Sequence, residues 1–171
     1  MTTRIILTVM GSDRPGLTQA LADAVLAAGG NWLESQLARL GGKYVGAVLV
    51  ELDGAQLPVL ETEIRKIDES GLQVSLVLAG EEPAPSGTSL GIELVGQDRP
   101  GIVREVTSAL AALGVNIEEF STGTENTAWS GELLFRAEAR LSLPKGVSVD
   151  RVRESLEDIS GEIMVDLTLR K

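Results

Sequence analysis

G-S-D-R-P-G-L at residues 11–17 and G-Q-D-R-P-G-I at residues 96–102 are one turn written twice, 85 positions apart. Eighteen residues after each aspartate stands an asparagine, Asn31 after Asp13 and Asn116 after Asp98. The repeat is therefore of a whole structural unit, and the text around each copy shows which unit it is.

Upstream of the first copy, RIILTVM (residues 4–10) is a β-branched, apolar run that reads as a buried strand. Downstream, Leu17, Leu21, Ala24, Val25 and Ala28 recur at helical spacing until Gly29-Gly30 stops them. Residues 31–40 and 44–52 are strand-like runs joined at Gly41-Gly42, a hairpin signal. Leu60, Ile64 and Ile67 mark a second helix, and alternation of Leu72, Val74, Leu76 and Leu78 predicts a last strand.

The second half repeats this β-α-β-β-α-β order. Residues 90–95 predict a strand, and Ile102, Val106, Ala109, Leu110 and Leu113 stripe a helix ending at Gly114. Residues 115–122 and 131–141 predict strands around a longer TGTENTAWS connection that carries Trp129. Val149, Val152, Leu156 and Ile159 stripe the second helix, and residues 163–169 the final strand. The predicted class is α+β, as two tandem ferredoxin-like halves with antiparallel four-stranded sheets: residues 1–80, a Pro/Glu/Gly/Ser linker at 81–88, and residues 89–171. Halves of about 80 residues have small cores, and a sheet covered by helices on one face leaves the other open. Packing of the halves on each other or on a second chain, and hence an oligomer, is the expectation.

Composition bounds the chemistry. The chain is 171 residues, 43% hydrophobic but only 3% aromatic, so its cores must be aliphatic. Without cysteine there are no disulfides or thiolate metal sites, and without histidine there is no imidazole base, His-metal site or Ser-His-Asp triad. No phosphate-loop or GxGxxG run occurs. The acidic pairs Glu81-Glu82, Glu118-Glu119 and Glu157-Asp158 read as solvated surface rather than cation ligands. An enzyme is not expected, nor a cofactor or metal. The N-terminal run passes straight into an acidic turn, unlike a signal peptide, and no segment approaches membrane-spanning length, so a cytoplasmic location is expected. The formal net charge of −10 argues against direct nucleic-acid binding.

The repeated turn is the candidate site. If Pro15 opens the helix, its missing N–H falls where no partner exists. The N–H groups of Gly16 and Leu17 then face outward at the positive end of the helix dipole, a seat for a carboxylate. Asp13 either caps that helix or accepts hydrogen bonds from an ammonium group. Asn31, entering the second strand, is expected to come near the same turn and offers both a donor and an acceptor. These groups suit a zwitterion such as a free amino acid. The plainer alternative is a strand-to-helix turn with no ligand.

A β-α-β-β-α-β unit with D-R-P-G after strand one and an asparagine entering strand two resembles the ACT domain, a small regulatory module that binds amino acids. Two such copies with no attached enzyme, together with the stretch NWLESQLARLGGKYVGAVLV, resemble the glycine cleavage system transcriptional repressor group. The resemblance implies a small amino acid, glycine or serine-like, held between two domains. Its contacts fall on Asp13, Arg14, Pro15, Gly16 and Leu17 with Asn31 opposite, and on Asp98, Arg99, Pro100, Gly101 and Ile102 with Asn116. Some serine-binding relatives carry a histidine two residues before the aspartate, where this chain has Gly11 and Gly96. The resemblance also implies action through a protein partner, a DNA-binding transcription factor; the alternative is a regulatory subunit or module of an amino-acid or one-carbon enzyme.

Overall fold

The computed structural model describes residues 1–81, 87–126, 133–159 and 163–169. The chain divides into two compact units, Met1–Glu82 and Pro83–Lys171, each with its own sheet and core. The first unit runs β1 (Thr2–Ser12), α1 (Leu17–Ala27), β2 (Asn31–Leu40), β3 (Lys43–Asp53), a 3-10 turn (Gly54–Gln56), α2 (Leu57–Asp68) and β4 (Leu72–Leu78). Its sheet has the order β2-β3-β1-β4, with every neighbour antiparallel. The second unit runs β5 (Thr88–Gln97), α3 (Ile102–Ala112), β6 (Asn116–Asn126), β7 (Leu133–Leu143), α4 (Val149–Glu157) and β8 (Met164–Leu169), with order β6-β7-β5-β8.

Strand alternation puts one face of each sheet into a core. Ile5, Leu7 and Val9 of β1 are buried with Val48, Val50 and Leu52 of β3, against the stripes Leu17/Leu21/Val25 and Leu60/Ile64/Ile67 of the helices. In the second unit Leu90, Ile92 and Leu94 of β5 meet Ile102, Val106 and Leu110 of α3 and Val152 and Leu156 of α4. No polar or charged residue is buried among the described residues, so apolar packing carries each core, aliphatic except for Phe135 among the buried residues of the second. A bulge interrupts both edge strands at matching places, between Trp32 and Glu34 and between Ile117 and Glu119.

One expectation changes. The stretch Gly123–Asn126, expected in the connection, extends β6 and pairs with β7 from Arg136 to Leu133. The pairing is possible because β7 begins its partner run only at Leu133; Trp129 and the rest of the connection, residues 127–132, lie outside the described residues. The linker expected over 81–88 likewise falls largely outside them, at 82–86.

Candidate functional site

The two D-R-P-G turns have nearly the same backbone. Gly16 sits at φ 91°, ψ −3° and Gly101 at φ 90°, ψ −6°, each immediately before its helix. With proline at the second position and a left-handed residue at the third, Arg-Pro-Gly-Leu and Arg-Pro-Gly-Ile are type II turns. In the second copy the closing bond is the Ile102 N–H donating to the Arg99 carbonyl at 3.3 Å. This corrects the expected placement of proline: the helices start at Leu17 and Ile102, so Pro15 and Pro100 precede the cap residue instead of opening the helix. Pro sets the turn's first φ, and Gly supplies the positive φ that a side chain resists.

Neither aspartate caps its helix, since no side-chain cap bond forms at either start. Helix propagation begins with the Ala20 N–H donating to the Gly16 carbonyl at 2.9 Å and the Glu105 N–H to the Gly101 carbonyl at 3.0 Å. The N–H groups of the first turn thus have no carbonyl within the helix to bind.

The asparagines lie elsewhere. Asn31 pairs across β3 with Glu51, which pairs with Arg4 at the start of β1, whereas the turn follows Ser12 at its end. Eight residues of strand separate the two levels, about 26 Å at the usual rise. Asn116 is set off from its turn in the same way, level with Ser142 and Ser89. The reason is topological: β2 runs parallel to β1 and starts where α1 has carried the chain back down. Within one unit, therefore, the turn and its asparagine occupy opposite ends of the sheet, against the expected proximity.

Around the turn the copies diverge. In the first unit, Arg14 Nη2 donates to Ser70 Oγ at 2.7 Å and Lys43 Nζ to Ser12 Oγ at 3.1 Å. The hydroxyls of Thr18 on α1 and Tyr44 on β3 share a hydrogen bond of 2.6 Å, and Arg39 Nη1 of β2 lies 3.8 Å from Asp13 Oδ2. Both contacts bridge the space between the helix start and the sheet. A Cβ at Gly11 would lie 2.7 Å from the Gly71 carbonyl oxygen and 2.9 Å from Leu72 Cα, both backbone atoms of the neighbouring β4 side. The position where some relatives carry histidine thus has no room for a side chain here.

In the second unit Arg99 folds onto its own helix, donating through both Nη atoms to the Glu105 carboxylate. The position equivalent to Glu105 in the first copy is Ala20, so Arg14 has no such partner. Beside the turn lies an open groove of about 380 Å³, lined by Asp98, Gly101, Ile102, Val103, Thr124 and Phe135 among others. Asp98 is half-buried, and no hydrogen bond or ion pair engages its carboxylate among the described residues.

The guanidinium of Arg99 holds the Glu105 carboxyl below the ordinary glutamate range, outweighing the opposing effect of desolvation. A carboxyl lowered in the folded state binds its proton later than in the unfolded chain as pH falls. The pair's contribution is present above the ordinary glutamate pKa and is lost as pH falls through the lowered folded value. Carboxyl NMR titration should place the Glu105 midpoint below the ordinary range, and Arg99→Ala should return it there.

Glu118 and Glu119, read as solvated, pair with Arg140 at 3.2 and 2.9 Å on β7. Among the described residues no cluster of acidic side chains could hold a metal ion, and no helix is long and apolar enough to cross a membrane.

Against known proteins, residues 3–77 and residues 91–149 each match the ACT domain. The glycine cleavage system transcriptional repressor of Escherichia coli (strain K12) is 24% identical over 123 residues, which cover 71% of this chain and 65% of that protein. The match thus spans less than two thirds of the curated relative. A crystal structure of an unknown protein from Galdieria sulphuraria superposes over the full length of both chains with TM-score 0.82 and 29% identity. A structure named as a candidate glycine cleavage system transcriptional repressor shares the fold over 99% of both chains, with TM-score 0.73 and 15% identity. The doubled turn, the two sheets of one topology and these matches agree: the chain belongs to the ACT domain family, as two copies in tandem.

Proposed function

We propose that this protein is a non-enzymatic, amino-acid-sensing regulator, similar to the glycine cleavage system transcriptional repressor. It takes a small α-amino acid at the strand–helix turn and acts through a protein partner, a DNA-binding transcription factor, in the cytoplasm. The observation that carries this reading is the half-buried Asp98 carboxylate, unpaired among the described residues, beside a helix start where the Val103 and Arg104 N–H groups have no carbonyl within the helix to bind. One group suits an ammonium and the other a carboxylate. Similarity to a repressor supports the regulatory role, and a net charge of −10 favours an intermediary over direct DNA contact.

Asn31 and Asn116 sit at the far ends of their own sheets and do not reach the turn of their own unit, so the proposed site is centred on the turn, in a protein that works as a homo-oligomer. Ligand binding then changes the partner's affinity to the extent that the two arrangements of the assembly bind the amino acid differently.

Calorimetry of the whole chain with glycine, serine and the other amino acids tests the reading. A ligand at a hundredfold excess over its Kd should stabilise the folded protein by about 2.7 kcal/mol. Failure of every amino acid to bind at millimolar concentration overturns the proposal.

A further inference from the structure

We infer that the two turns are not equivalent: the second domain's groove is the ligand site and takes an amino acid with a short aliphatic side chain, while the first domain's is latched shut. This rests on the amino-acid-sensing reading and says where and which. Equivalent positions carry the argument. Gly11 pairs with Tyr44 on β3 and Gly96 with Phe135 on β7, while Thr18 and Val103 are the second residues of their helices. Arg39 faces Tyr44 across β2 as Thr124 faces Phe135 across β6.

In the first domain those positions hold two bridges, the Thr18–Tyr44 hydroxyl bond and the Arg39–Asp13 ion pair, which together span the gap between helix and sheet. The second domain has replaced one member or both of each bridge. Val103 and Phe135 have no hydroxyl to share, and Thr124 is too short to do what Arg39 does. What remains is the open groove, and no described residue engages the Asp98 carboxylate as Arg39 engages that of Asp13.

The same replacements name the ligand. Asp98 receives the ammonium, the Val103 and Arg104 N–H groups in the first turn of α3 receive the carboxylate, and the side chain lies against Phe135, Ile102 and Val103. Phe135 and Ile102 are buried and form an apolar floor, with Val103 partly exposed at the rim. A methyl or isopropyl group gains by leaving water there, whereas glycine has nothing to place on that floor.

Calorimetry and amide hydrogen exchange on the full chain, with glycine, alanine, serine and valine as probes, test this together with two variants. The expected result is alanine or valine binding about tenfold tighter than glycine, with exchange slowed at residues 102–104 and unchanged at residues 17–19. Asp98→Asn should weaken binding at least tenfold. The double variant Val103→Thr with Phe135→Tyr, which writes the first domain's latch into the second, should do the same while circular dichroism shows it folded. Should that variant misfold, the exchange map of the wild type decides alone. Protection at residues 17–19, or glycine binding as tightly as valine, overturns the assignment and leaves amino-acid sensing standing. No binding by any probe or other amino acid overturns the sensing reading and this assignment with it.

Discussion

Gly46→Ala should cost the first domain about 3–5 kcal/mol, combining backbone strain with overpacking. Gly46 lies inside β3 at φ +148°, a conformation that L side chains rarely adopt, and a Cβ there would come within 1.9 Å of the Gln36 carbonyl oxygen on β2. Backbone atoms on a paired strand cannot step aside as a flexible side chain would. Either the β2–β3 pairing opens or the methyl stays in collision. Chemical denaturation should show a large fall in midpoint, and hydrogen exchange should lose protection in β2 and β3 first. Ordinary stability in the variant would overturn the claim that β2 leaves no room for a side chain at residue 46.

Leu21→Ala should destabilise the same domain by about 3 kcal/mol, within the 2–5 kcal/mol range of buried leucine truncations. Leu21 is 0% exposed at the centre of the α1 stripe, among Leu17, Val25 and the β1 and β3 residues of the core. The surrounding side chains relax only partly into the vacated volume, so part of the cavity persists. For a domain of about 80 residues each kcal/mol shifts Tm by about 4–8 °C, so the first domain's transition should fall by about 12–24 °C. Leu26, on the same helix but exposed, is the control, with an expected change within about 0.5 kcal/mol.

The fold was legible in the sequence because its signals are local and repeated. Leu17, Leu21 and Val25, or Ile102, Val106 and Leu110, announce a helix and its buried face by spacing alone, and the structure buries all six. Turn residues were legible as a motif but not as a conformation. D-R-P-G suits both proline at a helix start and proline ahead of a left-handed glycine, and only the φ of 91° and 90° chooses. The reach of β6 to Asn126 was hidden because Gly-Thr-Glu-Asn has the composition of a loop and is held as a strand by pairing with β7.

The contrast between the two turn regions was hidden for a different reason. Aspartates, helix starts and asparagines all repeat at 85 residues, but the second hairpin is longer, so Tyr44 and its counterpart Phe135 are 91 apart and fall out of register in the text. Strand pairing to Gly11 and Gly96 restores the equivalence.

The sequence by itself determined that there are two units, that each is β-α-β-β-α-β, that their cores are mainly aliphatic, and that the chemistry of histidine and cysteine is absent, because these follow from periodicity and composition. Tertiary structure alone decided that Asp13 is engaged by Arg39 while no described residue engages the Asp98 carboxylate, that Tyr44 and Thr18 meet, and that each asparagine stands a sheet's length from its turn. Those are relations between distant segments, set by strand order and register, which no local stretch of sequence carries.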